Sequence, residues 1–474
     1  MKERKDSISI APPEDPELYD ILSVLNAYNA EWSGHTPRER LRELKKLRKQ
    51  IASRADFIAG EIGRCTHRPA FESMTQEVLP VLEMARYCSR KMPSWLRPEH
   101  KHYLRPGFMG SRERLYFKPY GTVAVIMPAN FPFSLGMMSA FYLATAGNTV
   151  ILKPSEQLPA ITSLLEELIR NSKLDKPVIQ VVTGGAGTVH SLIDSGLIHK
   201  VFFFGRNESG NHVRQRCFKQ HIPCVLETGG GTAAVIDHEI SISRTAAGIA
   251  WSTLYTRGHS CIGTRFLFVD KRIKEIFLKK MLHESSKVYG EYDVPLALSS
   301  DTIAKIRPAV ERGAKIYPFF SGYGSDTPGT QRSRITPGIL EVNKEDPVLQ
   351  QELFDPILIL CPVDEIEEAI PRINYACHLM GTSIWTRNRK KAREFIRRVD
   401  TSMNWINDTS FGLPNLPWGG TGNSGQGILF SRDALNEAGT WKWVIESPGK
   451  VNRSWWHPYT QLKERMANWV SRFY

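Results

Sequence analysis

Paired cysteines are missing from this chain. Its seven cysteines (65, 88, 217, 224, 261, 361 and 377) form no C-x-x-C, and their number is odd. That argues against a disulfide framework or a zinc site and for a reducing, cytoplasmic setting, with no metal expected. An apolar leader is missing too. The opening MKERKDSISIAPPEDPE is charged and does not read as a signal peptide. No repeat at a fixed period and no low-complexity tract occurs, and no zinc-finger or RNP-type motif supports nucleic acid as a partner. Charge is absent from 119–152, which holds no Asp, Glu, Lys or Arg. Pro128, Asn130 and Pro132 interrupt that stretch and β-branched runs bound it, so it reads as two buried strands flanking a buried helix rather than a membrane span.

What remains is a 474-residue chain, long enough for two or three domains with full cores. Its net charge of +13 is spread largely over amphipathic segments such as 38–49, a basic solvated surface that also suits anionic ligands. Residues 1–35 read as a loosely ordered lead-in. Thr36-Pro37-Arg38-Glu39 is a capping box that opens a helix with Leu41, Leu44, Leu47, Ile51 and Ile58 at helical spacing, and a second helix is expected over 71–89. From residue 122 onward, strands (122–127, 148–152, 178–182, 201–204) alternate with helices (134–146, 158–171, 188–195, 208–220). A second round has strands at 224–226, 233–236 and 266–269 and helices at 244–254 and 273–287. Short connections between alternating elements predict parallel α/β sheets covered on both faces, here in two domains joined near Glu227. The last 30 residues form a basic, tryptophan-rich tail.

Five segments carry chemistry. Cys261 follows a Gly-His-Ser run, inside WSTLYTRGHSCIGTRFLFV. The others are Pro128-Ala129-Asn130-Phe131-Pro132, Leu152-Lys153-Pro154-Ser155-Glu156, Leu226-Glu227-Thr228-Gly229-Gly230-Gly231 and Gln351-Glu352-Leu353-Phe354-Asp355-Pro356. Each places a polar or ionisable residue at or after the carboxyl end of an apolar strand, the edge where open α/β sheets bind ligands. Singly they are ordinary: a buried thiol, a turn asparagine, solvated charges. Gly205-Arg206-Asn207-Glu208-Ser209-Gly210 leads from a strand into a helix, a turn that lets a helix N-terminus face a pyrophosphate.

The order and spacing of these segments, with Asn407-Asp408 and the late Pro417-Trp418-Gly419-Gly420 and Ser424-Gly425-Gln426-Gly427, resemble the aldehyde dehydrogenase superfamily from about 119 to 427. The resemblance implies a Rossmann-like parallel-sheet cofactor domain (1–102 and 119–226) and an α/β catalytic domain (227–415). It also implies a small β oligomerisation ribbon and C-terminal segment (103–118 and 416–474) and a homodimer or homotetramer. It further implies that Cys261 attacks a small-molecule aldehyde as a thiolate, that Asn130 and the Cys261 N–H hold the oxyanion, and that Glu227 is the base for hydrolysis of the thioester. Lys153 would also serve catalysis by helping to position Asn130 and the nicotinamide, and Lys153, Glu156, Gly205, Arg206, Gly210, Glu352 and Phe354 would hold the cofactor. Phe131, Met138, Ile262 and Phe411 would line an apolar substrate funnel suited to aromatic or aliphatic aldehydes.

The sequence departs from the family pattern at several places. Phe204 and Arg206 stand at the Thr and Ser of the phosphate turn, Ala129 before the asparagine, and His259 at the glutamine before the cysteine. Gly231 stands at a frequent lysine and Asp355 at the glycine of E-x-F-G-P. Arg206 leaves NADP open, while the Glu156 carboxylate, which repels a 2′-phosphate, favours NAD. Two rivals remain: a CoA-acylating enzyme, against which the base Glu227 counts, and a catalytically silent relative whose altered phosphate turn no longer binds cofactor. Attachment of the tail (Trp455, Trp456, Trp469, Phe473) to a membrane surface is the less favoured alternative to packing on another subunit.

Overall fold

The computed structural model describes residues 16–101, 111–320, 335–376, 378–447, 449, 452–453 and 456–473. The first finding corrects the sequence reading. Pro16–Gly34 is a helix, not a loose lead-in, and Leu18, Leu22, Leu25, Tyr28 and Trp32 are all buried. These residues recur every three or four positions, which places them on one helical face. Trp32 Nε1 donates to the Ala144 carbonyl at 3.0 Å, tying this face to the central charge-free helix. The next helix, Pro37–Ser53, starts at the expected capping box: Glu39 N–H donates to Thr36 Oγ1, and Thr36 N–H donates to Glu39 Oε2 at 2.7 Å. After Ala55–Thr66, one long helical run covers Ala70–Ser73, a π-turn at Met74–Val78, and Leu79–Trp95.

The first sheet has the order Gly425–Gln426, Cys224–Glu227, Lys200–Phe204, Thr122–Ile126, Thr149–Lys153, Ile179–Val181. All pairs are parallel except the two-residue edge, where Gly425 lies opposite Glu227. Thr122–Ile126 is the first strand of the five parallel ones, and the chain winds outward from it in both directions. This is a doubly wound sheet with its switch point between Thr122–Ile126 and Lys200–Phe204. TVAVI, TVILK and KVFFF are buried at every residue, which explains their continuous apolar runs. Helix Ser134–Ala146, buried at almost every position, joins two of these strands, so the charge-free stretch is sheet and helix core. No helix among the described residues is long and apolar enough to cross a membrane.

The second sheet has the order Lys315–Pro318, Gly338–Glu341, Ile357–Val363, Thr264–Asp270, Thr232–Ile236, Gly381–Trp385, Met403–Ile406, parallel except at its first pair. The chain crosses from one sheet to the other between Glu227 and Thr232. Gly229 (φ +90°) and Gly230 (φ +145°) make that passage, and a side chain on Gly230 would collide with the His378 carbonyl. A third, antiparallel sheet pairs Glu99–Lys101 with Arg112–Pro119, and Arg112–Pro119 with Gly439–Glu446 over eight residues. Half of the segment expected to be a ribbon, 103–110, lies outside the described residues, and nearly all of the other half belongs to strand Arg112–Pro119. Gly425–Gln426 joins the first sheet, and Leu429, Phe430, Leu435 and Ala438 pack into that sheet's core.

Candidate active site

Four of the chemical segments start from the carboxyl end of a strand. Asn130 follows Thr122–Ile126, Lys153 closes Thr149–Lys153, Gly205 follows Lys200–Phe204, and Glu227 closes Cys224–Glu227. These four strands are neighbours and parallel, so their carboxyl ends share one edge. Cys261 comes from the other sheet, in the loop before Thr264–Asp270, and Glu352 and Phe354 in the loop before Ile357–Val363.

The Cys261 loop is backbone-strained. Thr256 (φ 53°) and Arg257 (φ 57°) are both left-handed, and Gly258 (φ 77°) follows. Two successive left-handed non-glycine residues cost about 1–3 kcal/mol each, so the surroundings must hold them. Glu72 accepts the Thr256 N–H at 2.8 Å and the Tyr292 hydroxyl at 2.7 Å. Arg265, fully buried, donates to the carbonyls of Gly258, Ser260, Thr253 and Thr264. Burial pulls its pKa down to about 10, so the guanidinium keeps its charge at neutral pH. A side chain at residue 231 would meet Arg265 Cγ at 2.7 Å, so the glycine where relatives often carry lysine makes room for this arginine.

Asn130 Nδ2 donates to the His259 carbonyl at 2.9 Å, which brings the asparagine to the cysteine loop across the two sheets. An amide has two N–H groups, so one remains for a further acceptor. The turn carrying Asn130 is anchored from below: Glu77 Oε2 accepts the N–H of Phe133 (3.2 Å) and of Ser134 (2.7 Å), and Glu77 pairs with buried Arg68 at 2.8 Å. Glu72 and Glu77 therefore brace the cysteine loop and the asparagine turn from one helical run. They lie five residues apart across the π-turn, the spacing that one extra residue per turn puts on a common face.

Cys261 and Glu227 are both buried. Burial and the nearby Glu227 charge push the Cys261 pKa well above the usual thiol value. Burial likewise raises Glu227, against the hydrogen bond from Trp418, whose Nε1 donates to Glu227 Oε2 at 2.7 Å. A buried carboxyl whose pKa is raised is suited to take and return protons.

Lys153 is buried, and its Nζ reaches Glu156 Oε2 at 2.9 Å. Glu156 also lies beside Gly185, in the 184–187 loop, at 3.9 Å from where a side chain would start. Arg206 caps helix Asn207–Lys219, and no side chain satisfies that helix's first N–H groups. The Phe203 ring fills the space beneath the turn, and a Cβ on Gly205 would approach its Cζ at 2.6 Å. Phe204 points into the sheet core instead of the turn. An open helix N-terminus at the switch point of a doubly wound sheet, flanked by Arg206 and Lys153, matches a dinucleotide pyrophosphate in donor set and position. Glu352, raised by burial and lowered by Lys305 and Arg206, abuts Gly229 at the passage between the sheets. Phe354 lies against the His259 ring, with centroids 5.8 Å apart.

The four expected funnel residues fall in different settings. Phe131 is buried and Met138 partly buried against the first core. Ile262 packs with Cys261, Met380, Met403 and Trp405, and Phe411, 42% exposed, lies against Trp405. Sequence reasoning gave no role to Trp418, Trp405, Glu72, Glu77 or Arg265. Trp418 stood inside a quoted motif, but its pairing with Glu227 needs the edge strand Gly425–Gln426 to bring it back.

The family model for the "Aldehyde dehydrogenase family" matches residues 21–444. The chain is 29% identical over 416 residues to a 4,4'-diapolycopene aldehyde oxidase of Methylomonas sp, covering 85% of this chain and 77% of that one. It is 27% identical over 433 residues to a 4,4'-diapolycopene-4,4'-dial dehydrogenase of Cytobacillus firmus, covering 87% and 92%. Among solved structures, PnpE from Pseudomonas sp. WBC-3 aligns with a TM-score of 0.82 at 24% identity over 91% of this chain and 90% of that one, a likeness of fold. With the Asn130 turn hydrogen-bonded to the Cys261 loop and the family model matching most of its length, the chain belongs to the aldehyde dehydrogenase family, enzymes that oxidise aldehydes with NAD or NADP.

Proposed function

We propose that this protein oxidises an apolar aldehyde to its carboxylate, with NAD as the preferred cofactor. The observation that carries the reading is the Asn130–His259 hydrogen bond, which brings the asparagine to the loop of Cys261, a thiol buried within reach of the buried Glu227 charge. The Cys261 thiol gives its proton up to solvent, and the thiolate adds to the aldehyde carbon. The second Asn130 N–H and the Cys261 backbone N–H stabilise the oxyanion that forms. When bound, the nicotinamide supplies the hydride acceptor that turns this adduct into a thioester. Lys153, Glu156, Gly205, Arg206 and Gly210 would hold the adenosine and pyrophosphate side, and Glu352 and Phe354 the nicotinamide side. Glu227 then removes a proton from water, which attacks the thioester, and the acid leaves with the cysteine restored.

The substrate class rests on the apolar side chains around Cys261 (Ile262, Met403, Trp405, Trp418) and along Phe131, Met138 and Phe411. The Methylomonas and Cytobacillus relatives are both named for diapolycopene aldehydes. In this reading residues 1–102 and 119–226 form the cofactor unit, 227–415 the catalytic unit, and 103–118 with 416–474 the contacts of a homodimer or homotetramer in the cytoplasm. Trapping tests the chemistry. A Glu227→Gln variant given a long-chain aldehyde and NAD should accumulate an acyl adduct on Cys261, visible as an added acyl mass on the intact protein. No adduct in the variant, with or without CoA as an alternative acceptor, would reject the thioester route.

A further inference from the structure

A cavity of about 630 Å³ lies away from the strand edge described above, between helix Pro37–Ser53 and helix Leu79–Trp95. Arg38, Arg42, Lys45 and Arg48 line it from the first helix, and Arg90 and Arg97 from the second helix and the residues just after it. No carboxylate lines it. Its floor is apolar, made by Leu44, Ala85 and Phe141. Residues three and four apart share a helical face, so 38, 42 and 45 form one basic stripe and 90 and 97 face it.

The rest of this surface treats its cations differently. On the same first helix, Lys46 pairs with Glu43 and Asp175, and the nearby Arg54 pairs with Glu167. Arg42 is shared with a neighbouring cavity that holds Glu39 and Glu43, and feels the Glu39 charge. Among the described residues, the other five cavity cations make no ion pair of that kind. Like charges at these spacings oppose one another, so the array weakens the helix pair unless an anion neutralises it. Five of the six are arginines, whose planar donors match phosphate oxygens in pairs. The volume suits a small organic ligand, and the Leu44–Phe141 floor suits an apolar portion of it.

We propose that this groove is a second binding site, separate from the catalytic one, for a phosphate-bearing ligand with several negative charges. Free organic phosphates and phosphorylated lipid headgroups share this chemistry, and the experiment separates them. Inorganic pyrophosphate is titrated into the full-length protein by calorimetry, and vesicles of phosphatidylcholine with and without phosphatidic acid are sedimented with it. The Arg38→Ala/Arg48→Ala/Arg90→Ala variant is compared with Arg389→Ala/Arg393→Ala/Arg397→Ala, which removes equal charge from another exposed helix. The groove variant should bind pyrophosphate at least about tenfold more weakly, as expected when charge-assisted contacts are lost. The control variant should stay near wild type. Arg206→Ala removes the cation at the cofactor turn and should leave the groove component intact, which keeps this test independent of the proposed cofactor site. Loss of vesicle binding in the groove variant, without measurable pyrophosphate binding by wild type, would assign the site to lipid phosphate. Equal binding by all variants, equal loss in both triple variants, or no binding of either probe by wild type would overturn the proposal.

Discussion

Nε2 of His259 lies 3.2 Å from Oδ1 of Asp355, joining two positions at which this chain departs from its family's pattern. The histidine stands where relatives carry glutamine, two residues before the cysteine, and the aspartate where they carry glycine. The pair links the cysteine loop to the loop of Glu352 and Phe354. Gly258 tightens the same junction, since a Cβ there would fall 2.5 Å from the Pro356 nitrogen. The two substitutions are expected to be coupled. A double-mutant cycle with His259→Gln and Asp355→Gly should show an interaction energy of about 0.5–3 kcal/mol in kcat/KM for the cofactor, as contacting residues do. Additive effects would separate them.

Asp355 also gives the fold a pH dependence. Burial pushes its carboxyl up, but hydrogen bonds from His259, Ser299 and Thr302 outweigh this and hold it at about 2, below the ordinary 3.8. A depressed folded pKa stabilises the protein fully above the unfolded value, and the contribution is lost as pH falls from 3.8 toward 2. Denaturation midpoints of wild type and Asp355→Asn should therefore differ at pH 6 and converge near pH 2. A difference that stays constant with pH would contradict this.

Trp418 acts on the base through one bond. Trp418→Phe removes the 2.7 Å donor to Glu227, and losing a hydrogen bond to the ionised form raises the carboxyl further. Hydrolysis needs the ionised form, so the acid limb of the pH–rate profile should move to higher pH. A change in rate with an unmoved limb would mean that Trp418 serves only packing. Glu227→Gln should lower steady-state turnover by about 10²–10⁴ while the first turnover survives, the range for loss of a general base.

The braces beneath the site should matter for both rate and stability. Breaking the buried Arg68–Glu77 pair with Glu77→Gln leaves a buried guanidinium, which costs about 3–5 kcal/mol. It also weakens the cap on Phe133 and Ser134 that holds the Asn130 turn. The melting temperature and kcat should fall together. Glu72→Gln should affect kcat mainly, through Thr256.

Much of the first sheet was legible, because TVAVI and KVFFF are uninterrupted apolar runs between clear helix signals. The helix Pro16–Gly34 was not read, although Leu18, Leu22, Leu25 and Trp32 carry its period, because the charged opening residues dominated that stretch. The segments of Cys261, Asn130, Lys153 and Glu227 could be read because each sits at a strand end with a sharp composition change. Arg265, Trp418, Glu72 and Glu77 could not, because each acts through a contact between residues 7 to nearly 200 positions apart that only the fold creates. Phe204 stands at the phosphate turn in the sequence, but strand alternation sends it to the core and puts Phe203 under the glycines.

The proposed preference for NAD rests on Glu156, whose carboxylate is paired to Lys153 and open to solvent. Glu156→Ala should raise KM for NAD and lower it for NADP, because the repulsion of a 2′-phosphate disappears. Unchanged values for both would remove Glu156 from the ribose site.

The central claim is tested most directly by nicotinamide reduction with the purified protein. Long aliphatic, aromatic and charged semialdehyde substrates are each supplied with NAD and NADP, beside Cys261→Ala. The account predicts turnover that is fastest with an apolar aldehyde and NAD and absent in the variant. No turnover with any pair, or turnover that survives the loss of Cys261, would contradict it.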